Sequence, residues 1–337
     1  MNPTTEIYTR PWWLPGRHAQ TIWGKVARRC RDLPITKRAL PTLDGDEIEL
    51  NSLPHVHSRP HVLLLHGLEG SLRSHYVNGI LSASVDARLN AHVMMFRSCG
   101  TRPNRTRRLY HSGETQDVRT IVASLVAEYP SAQFFLAGVS LGGNVLLKYL
   151  GETPETIPAN VIAAAAVSVP YDLSRSATSI NQGFSRVYQR FFLQTLRAKA
   201  AEKAARFSGL PSPEQISRVR TMVDFDDLIT APLHGFSGAE DYYARSSAIH
   251  FLKHIKIPTL LLSAYDDPFL PHEVLADVAS QAEANRALHI EFHRHGGHAG
   301  FVTGRFPWTA QYYMERRIVE FFERFLKSSV SSGGLAK

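Results

Sequence analysis

The chain has 337 residues, 44% of them hydrophobic and 20% charged, which allows one large α/β domain with an insertion or two ordinary domains and excludes wholesale disorder. Its formal net charge of +8 can favour anions, yet no zinc-finger, helix-turn-helix or RNA-binding aromatic pattern accompanies the arginines, so no nucleic-acid partner is expected. No run of 18 apolar residues occurs and MNPTTEIYTRPWWLPG lacks a signal-peptide core, so the expectation is a soluble, cytoplasmic protein with no transmembrane segment.

Residues 1–35 read as irregular or weakly helical. Within them RPWWLPGRHAQTIWG (10–24) is unusually aromatic, and Trp12, Trp13 and Trp23 are expected to pack on the main body, where their apolar surface leaves water. Neither Cys30 nor Cys99 belongs to a CxxC pair, and nothing selects a disulfide between them. Residues 36–40 and 47–52 flank the turn-like LDGD and form a predicted hairpin. HVLLLHG (61–67) is a near-continuous apolar run, as a central parallel strand requires. A helix at about 72–88 and a second buried strand in AHVMMFRSCG (91–100) follow. The Arg97–Arg108 cluster could contact an anionic substrate group or brace the loops around His111 and Glu114; the second reading is preferred.

ETQDVRTIVASLVAEYP (114–130) repeats Val118, Ile121, Val122, Leu125 and Val126 along one helical side. A third strand (131–140), a third helix (141–151) and a fourth strand (161–169) complete the βαβ rhythm of a mostly parallel sheet flanked by helices. That rhythm stops from 171 to 253. The long segment 184–207 offers Phe184, Val187, Phe191, Phe192 and Leu196 to an apolar surface, and reads as part of a helical cap. Tyr242 and Tyr243 are read as preceding a helix, where they could line the cap or serve ordinary helix packing, and packing is the preferred reading. A strand runs into an acidic loop in IPTLLLSAYDDPFLP (257–271), followed by a helix (272–283), a last strand and loop (287–301) and a final helix (309–327). The predicted organisation is a core of residues 1–170 and 254–327 with an N-terminal extension, a cap of 171–253 and a flexible tail of 328–337.

The chemistry is concentrated at the strand ends. Gly138-Val139-Ser140-Leu141-Gly142 matches G-x-S-x-G between an apolar strand and an apolar helix, the setting of a nucleophile elbow. Small residues are needed at Gly138 and Gly142 because the turn is sharp, and the following helix aims free N–H groups at developing negative charge. The second oxyanion donor should come from His66-Gly67-Leu68-Glu69-Gly70, with the backbone N–H of Leu68 paired with that of Leu141 and His66 bonded to loop backbone. The acid should follow a late strand. Asp267 is preferred there, since Pro268 and Pro271 fix the loop after it, and Asp266 is the alternative; Asp224, Asp226 and Asp227 are poorer candidates. For the base, His298 lies in a flexible setting between Gly296, Gly297 and Gly300, with His295 as runner-up. A metal site on His293, His295 and His298 would leave the elbow unexplained, so neither metal nor cofactor is expected.

These residues resemble the YheT-type family of the α/β-hydrolase fold, a group that also holds plant EMB8-like proteins and membrane-associated animal relatives. The resemblance spans about residues 8–327 and rests on PWWLPGRHAQTI (11–22), HVLLLHGLEGS (61–71), MMFRSCG (94–100), HSGETQD (111–117), GVSLGGN (138–144), FDDLITAPLHGF (225–236), SAYDDPF (263–269) and GGHAGF (296–301). It implies a catalytic triad of Ser140, Asp267 and His298 and a serine esterase or lipase-like activity on a small-molecule acyl ester, without fixing whether that ester is lipid-like. The same triad serves thioesterases, amidases and acyltransferases, and a hydrolase scaffold can also be a silent binding module; neither these nor the oligomeric state is decided by the sequence.

Overall fold

The computed structural model describes residues 8–326, so the expected tail lies outside the described residues. Helix α1 (Arg17–Ala27) precedes the hairpin of β1 (Thr36–Pro41) and β2 (Glu47–Ser52), which turns through LDGD. The alternating part follows as β3 (His61–Leu65), α2 (His75–Asp86), β4 (Asn90–Met95), α3 (Thr115–Glu128), β5 (Phe134–Val139), α4 (Leu141–Glu152) and β6 (Val161–Val167). Helices α5 (Leu173–Ile180), α6 (Ser185–Arg206), α7 (Pro213–Arg218), α8 (Met222–Phe225), α9 (Ala231–His234) and α10 (Ala239–Ser246) come next, with no strand among them. The chain then returns through β7 (Thr259–Ala264), α11 (His272–Ala284) and β8 (Leu288–His293), and closes with a short pair, β9 (Val302–Thr303) and β10 (Gln311–Tyr312), and α12 (Tyr313–Glu323).

Eight strands form one sheet in the order β1-β2-β4-β3-β5-β6-β7-β8. β3 to β8 pair in parallel, and β1 and β2 join antiparallel at one edge. Every residue of β3, β4, β5 and β7 is buried, because helices cover both faces; this is why those strands read as continuous rather than alternating apolar runs. One face packs on α3, α4 and α11, the other on α2 and α12. The order reverses between β3 and β5, where Leu65 lies beside Gly138, so the loops leaving these strands open a crevice at the switch point.

Four expectations need correction. Trp13 and Trp23 meet at a tilt with ring centroids 4.8 Å apart and are half-buried, but Trp12 is 75% exposed, with its indole N–H donating to the Arg305 carbonyl at the surface. Residues 17–27 form a full helix rather than a weak one. The last helix begins at Tyr313, since a 3₁₀ turn at Pro307–Thr309 and the β9–β10 pair consume the preceding residues. On α6 the apolar residues divide between two faces: Leu193 and Leu196 are buried and Phe192 half-buried, whereas Phe184, Val187 and Phe191, three and four residues apart, form an exposed stripe.

Arg97 is buried and its guanidinium donates to Asp117, Asp44 and Asp46, while Arg108 pairs with Glu114 and Asp44. These arginines brace loops. Burial works against charge on Asp44, but hydrogen bonds from Arg97 and Thr42 outweigh it and hold its carboxyl down at about 2. Both cysteines are free, and no helix among the described residues is long and apolar enough to cross a membrane.

Candidate active site

Ser140 stands between β5 and α4 with φ 55° and ψ −123°, a conformation costing about 1–3 kcal/mol unless its surroundings enforce it. They do so from both sides. Its N–H donates to Val167 of β6 at 2.8 Å, and its carbonyl accepts from Gly143 and Asn144 at 2.9 and 3.1 Å. A Cβ on Gly138 would lie 2.6 Å from the Gly142 carbonyl oxygen, and one on Gly142 would lie 2.3 Å from that of Leu65. The two glycines are therefore set by close backbone approach.

After β3, the loop of residues 66–70 lies against the serine; a Cβ on Gly67 would come within 3.1 Å of Ser140 Cβ. Gly67 N–H donates to the Tyr76 hydroxyl, Glu69 N–H to the Tyr110 hydroxyl and Gly70 N–H to the Gly67 carbonyl. Leu68 N–H has no protein acceptor among the described residues. Leu141 opens α4, so its N–H has no carbonyl within the helix to bond. His66 is wholly buried. Phe96 N–H donates to its Nε2, which assigns the proton to Nδ1 and lets that atom donate to Gly67 O; burial lowers its pKa to about 4, so it stays neutral.

The two adjacent aspartates turn in different directions. Buried Asp267 lies 2.9 and 3.1 Å from His298 Nδ1 through its two oxygens and accepts from Phe269 N–H. Asp266 faces His295 Nδ1 at 3.2 Å and accepts from Gly297 N–H at 2.9 Å. His293 pairs with Glu291 at 3.1 Å. His293, His295 and His298 thus each meet a different carboxylate. Ser140, Leu68, Leu141 and His298 line one cavity, and α5, α6 and α8 supply its apolar walls through Ile180, Phe192, Leu196, Met222 and Phe225. Tyr242 and Tyr243 lie within α10 rather than before a helix; they pack there and both line this cavity as well.

Residues 60–305 match the family described as alpha/beta hydrolase fold. Over 316 residues the chain is 37% identical to YheT of Escherichia coli, an esterase by assignment, covering 92% of this chain and 91% of that protein. The chain belongs to the YheT-type α/β-hydrolase family. It is also 28% identical to phospholipase ABHD3 of Mus musculus, over 98% of this chain and 80% of that one. The esterase Pf2001 of Pyrococcus furiosus shares the fold, with a TM-score of 0.56 at 17% identity over 87% of this chain and 93% of that structure.

In this YheT-type hydrolase, several site residues carried no sequence signal. The histidine loop is propped by α1: His298 N–H donates to Thr21 Oγ1 at 3.0 Å, and Gln20 bonds both the N–H and the carbonyl of Val302. Gly297 has φ 59°, and a Cβ there would lie 2.5 Å from the Arg17 carbonyl oxygen. Ser168, just past β6, accepts from Ala299 N–H on the other side of the loop. Buried Asn144 ties the elbow helix to Ser112, Ser246 and Ala248. Glu69 accepts at 2.7 Å both from Tyr110 and from Lys199 of α6, which joins that helix to the loop bearing Leu68. Gln20 and Thr21 lie in PWWLPGRHAQTI, Glu69 in HVLLLHGLEGS, Ser112 in HSGETQD, Asn144 in GVSLGGN and Gly297 in GGHAGF, stretches that carry the family resemblance without giving these residues their partners.

Proposed function

We propose that this hydrolase cleaves carboxylic esters through an acyl-enzyme on Ser140, with His298 as general base and Asp267 as the acid that orients it. The observation that carries the reading is the Asp267–His298 pair opening into the same apolar cavity as the strained serine. With Nδ1–H given to Asp267, His298 Nε2 is free to accept a proton. It takes that proton from Ser140 Oγ as Oγ attacks the ester carbonyl carbon. The N–H groups of Leu68 and Leu141 hold the oxyanion. Collapse of the tetrahedral intermediate expels the alcohol, which leaves with the proton from His298. Water then attacks the acyl carbonyl as His298 takes its proton, and His298 returns that proton to Ser140 Oγ as the C–Oγ bond breaks and the carboxylic acid departs. Asp267 keeps the imidazole in the required tautomer and stabilises the imidazolium.

Residues 171–253 act as a cap that shapes the acyl-binding space; the apolar side chains of α5, α6 and α8 around Ser140 support this, as do the esterase and phospholipase names of relatives. The test is a p-nitrophenyl ester panel read with the wild type and Ser140→Ala, together with a fluorophosphonate probe. Turnover and labelling should be confined to the wild type. Equal turnover by both proteins would remove Ser140 from the mechanism.

A further inference from the structure

The cavity that holds Ser140 is not apolar throughout. Asp226, Thr230 and Tyr243 line it together with Ser140 and His298. Asp226 is 7% exposed and accepts one hydrogen bond on each oxygen, from Thr230 Oγ1 and from the Tyr243 hydroxyl, both at 2.7 Å. Among the described residues no lysine, arginine or histidine forms an ion pair with it. Burial, with Asp227 alongside, pushes its carboxyl up to about 6 against those two hydrogen bonds. A buried carboxylate without a cation is costly, and each carboxylate oxygen can accept a second hydrogen bond.

Its backbone setting is also unusual. Asp226–Thr230 form a π-helical turn, in which Ala231 N–H reaches back to the Asp226 carbonyl. Pro232, in the next turn, has no N–H to continue an α-helical ladder. Such turns recur at functional sites. Here it places Asp226 and Thr230 on the cavity wall, between Phe225 and the two tyrosines of α10.

We propose that Asp226 is a specificity-determining group, accepting a hydrogen bond from a hydroxyl or ammonium group carried by the part of the ester that fills this cavity. The inference rests on the reading of Ser140 as the nucleophile, because that reading makes the cavity the substrate's seat. The apolar walls take the hydrocarbon portion, and the carboxylate supplies a polar end that a plain alkyl chain leaves unsatisfied.

The experiment uses two matched ester series, one varied on the acyl side and one on the alcohol side, each ending in methyl, hydroxyl or primary ammonium. In one series the wild type should favour a donor end over methyl by about 10- to 100-fold in kcat/KM. A larger gain for ammonium identifies a cationic substrate, and a larger gain for hydroxyl a neutral one. In folded Asp226→Asn the ammonium-to-methyl ratio should fall by about tenfold or more. Equal rates on all three ends in both series would overturn the proposal. So would an Asp226→Asn variant that keeps the wild-type ratios, or one that loses activity equally on all ends, since the carboxylate would then only brace the π turn. Calorimetric binding of the same compounds to Ser140→Ala separates the two readings. Donor preference in binding, beside a wild type inactive on every ester, would sink the hydrolytic reading and keep this one. If Asp226→Asn does not fold, the wild-type ratios and the Ser140→Ala affinities still decide.

Discussion

Ser140 and His298 face one cavity from two loops that are built differently. The elbow is held by atoms of its own neighbourhood: Val167, Gly143 and Asn144 fix the serine backbone, and the close approach of Gly138 to Gly142 sets the turn. The histidine loop has left-handed backbone at Gly297, Ala299 and Phe301 and depends on partners far away in the chain, with Thr21 and Gln20 on one side and Ser168 on the other. The difference teaches where precision comes from. The serine turn is set by close approach within residues 138–144 and by the neighbouring strands β3 and β6, whereas His298 is propped by a helix 277 residues away in the chain.

The contrast breaks most sharply at the paired aspartates. Asp267→Asn should lower kcat by about 10³- to 10⁴-fold, by presenting the wrong imidazole tautomer. Asp266→Asn should cost only about tenfold, by loosening the Gly297 contact. Comparable losses in steady-state kcat would show that the two carboxylates share the orienting role.

A second pair of variants probes the two loops directly. Gly142→Ala sets a methyl against the Leu65 carbonyl and should destabilise the protein by about 3 kcal/mol in urea unfolding. Thr21→Val removes the acceptor for His298 N–H while keeping side-chain volume. It should lower kcat by about tenfold with little change in KM and cost about 1 kcal/mol of stability. A Thr21→Val enzyme of full activity would mean that α1 does not position the base.

Acid should reach the histidine side through Glu291, at the strand that leads into the loop. Burial opposes its ionisation, but hydrogen bonds from His293 and Tyr313 and the charge and hydrogen bond of Arg317 hold its pKa at about 2, below the ordinary 4.5. A depressed carboxyl contributes stability that is fully present above the unfolded value and is lost as pH falls through the folded one. Unfolding free energy should therefore decline between about pH 4.5 and 2, and Glu291→Gln should flatten that decline. An unchanged slope would remove Glu291 from the acid response.

The smallest effect belongs to the cavity wall. Phe192 lines the cavity, while Phe191 points outward beneath Lys25 Nζ, 3.9 Å from its ring centroid. Phe192→Ala should shift the acyl-length profile by about 0.8 kcal/mol per methylene accommodated. Phe191→Ala should leave that profile where it is. The reverse result would place the acyl chain on the outer face of α6.

Much of this molecule follows from short-range rules. A strand buried on both faces must read as HVLLL or TLLLSA, and a sharp strand-to-helix turn admits only small flanking residues, so β3, β5, β7 and the Ser140 elbow were legible in the sequence. The division of α6 into an exposed and a buried face required knowing which neighbours it meets, because its spacing offers apolar residues to both. Adjacent loop residues such as Asp266 and Asp267 have no periodicity to assign their directions; only the packed loop sends one to His295 and the other to His298. In the sequence Asp226 reads as one more cap-side acid, and its place in the serine's cavity is decided by the packing that brings residues of α8 and α10 to the same cavity wall. Local sterics are written in neighbouring residues, but the contact of Thr21 with His298, 277 residues apart, is decided by the shape of everything between them.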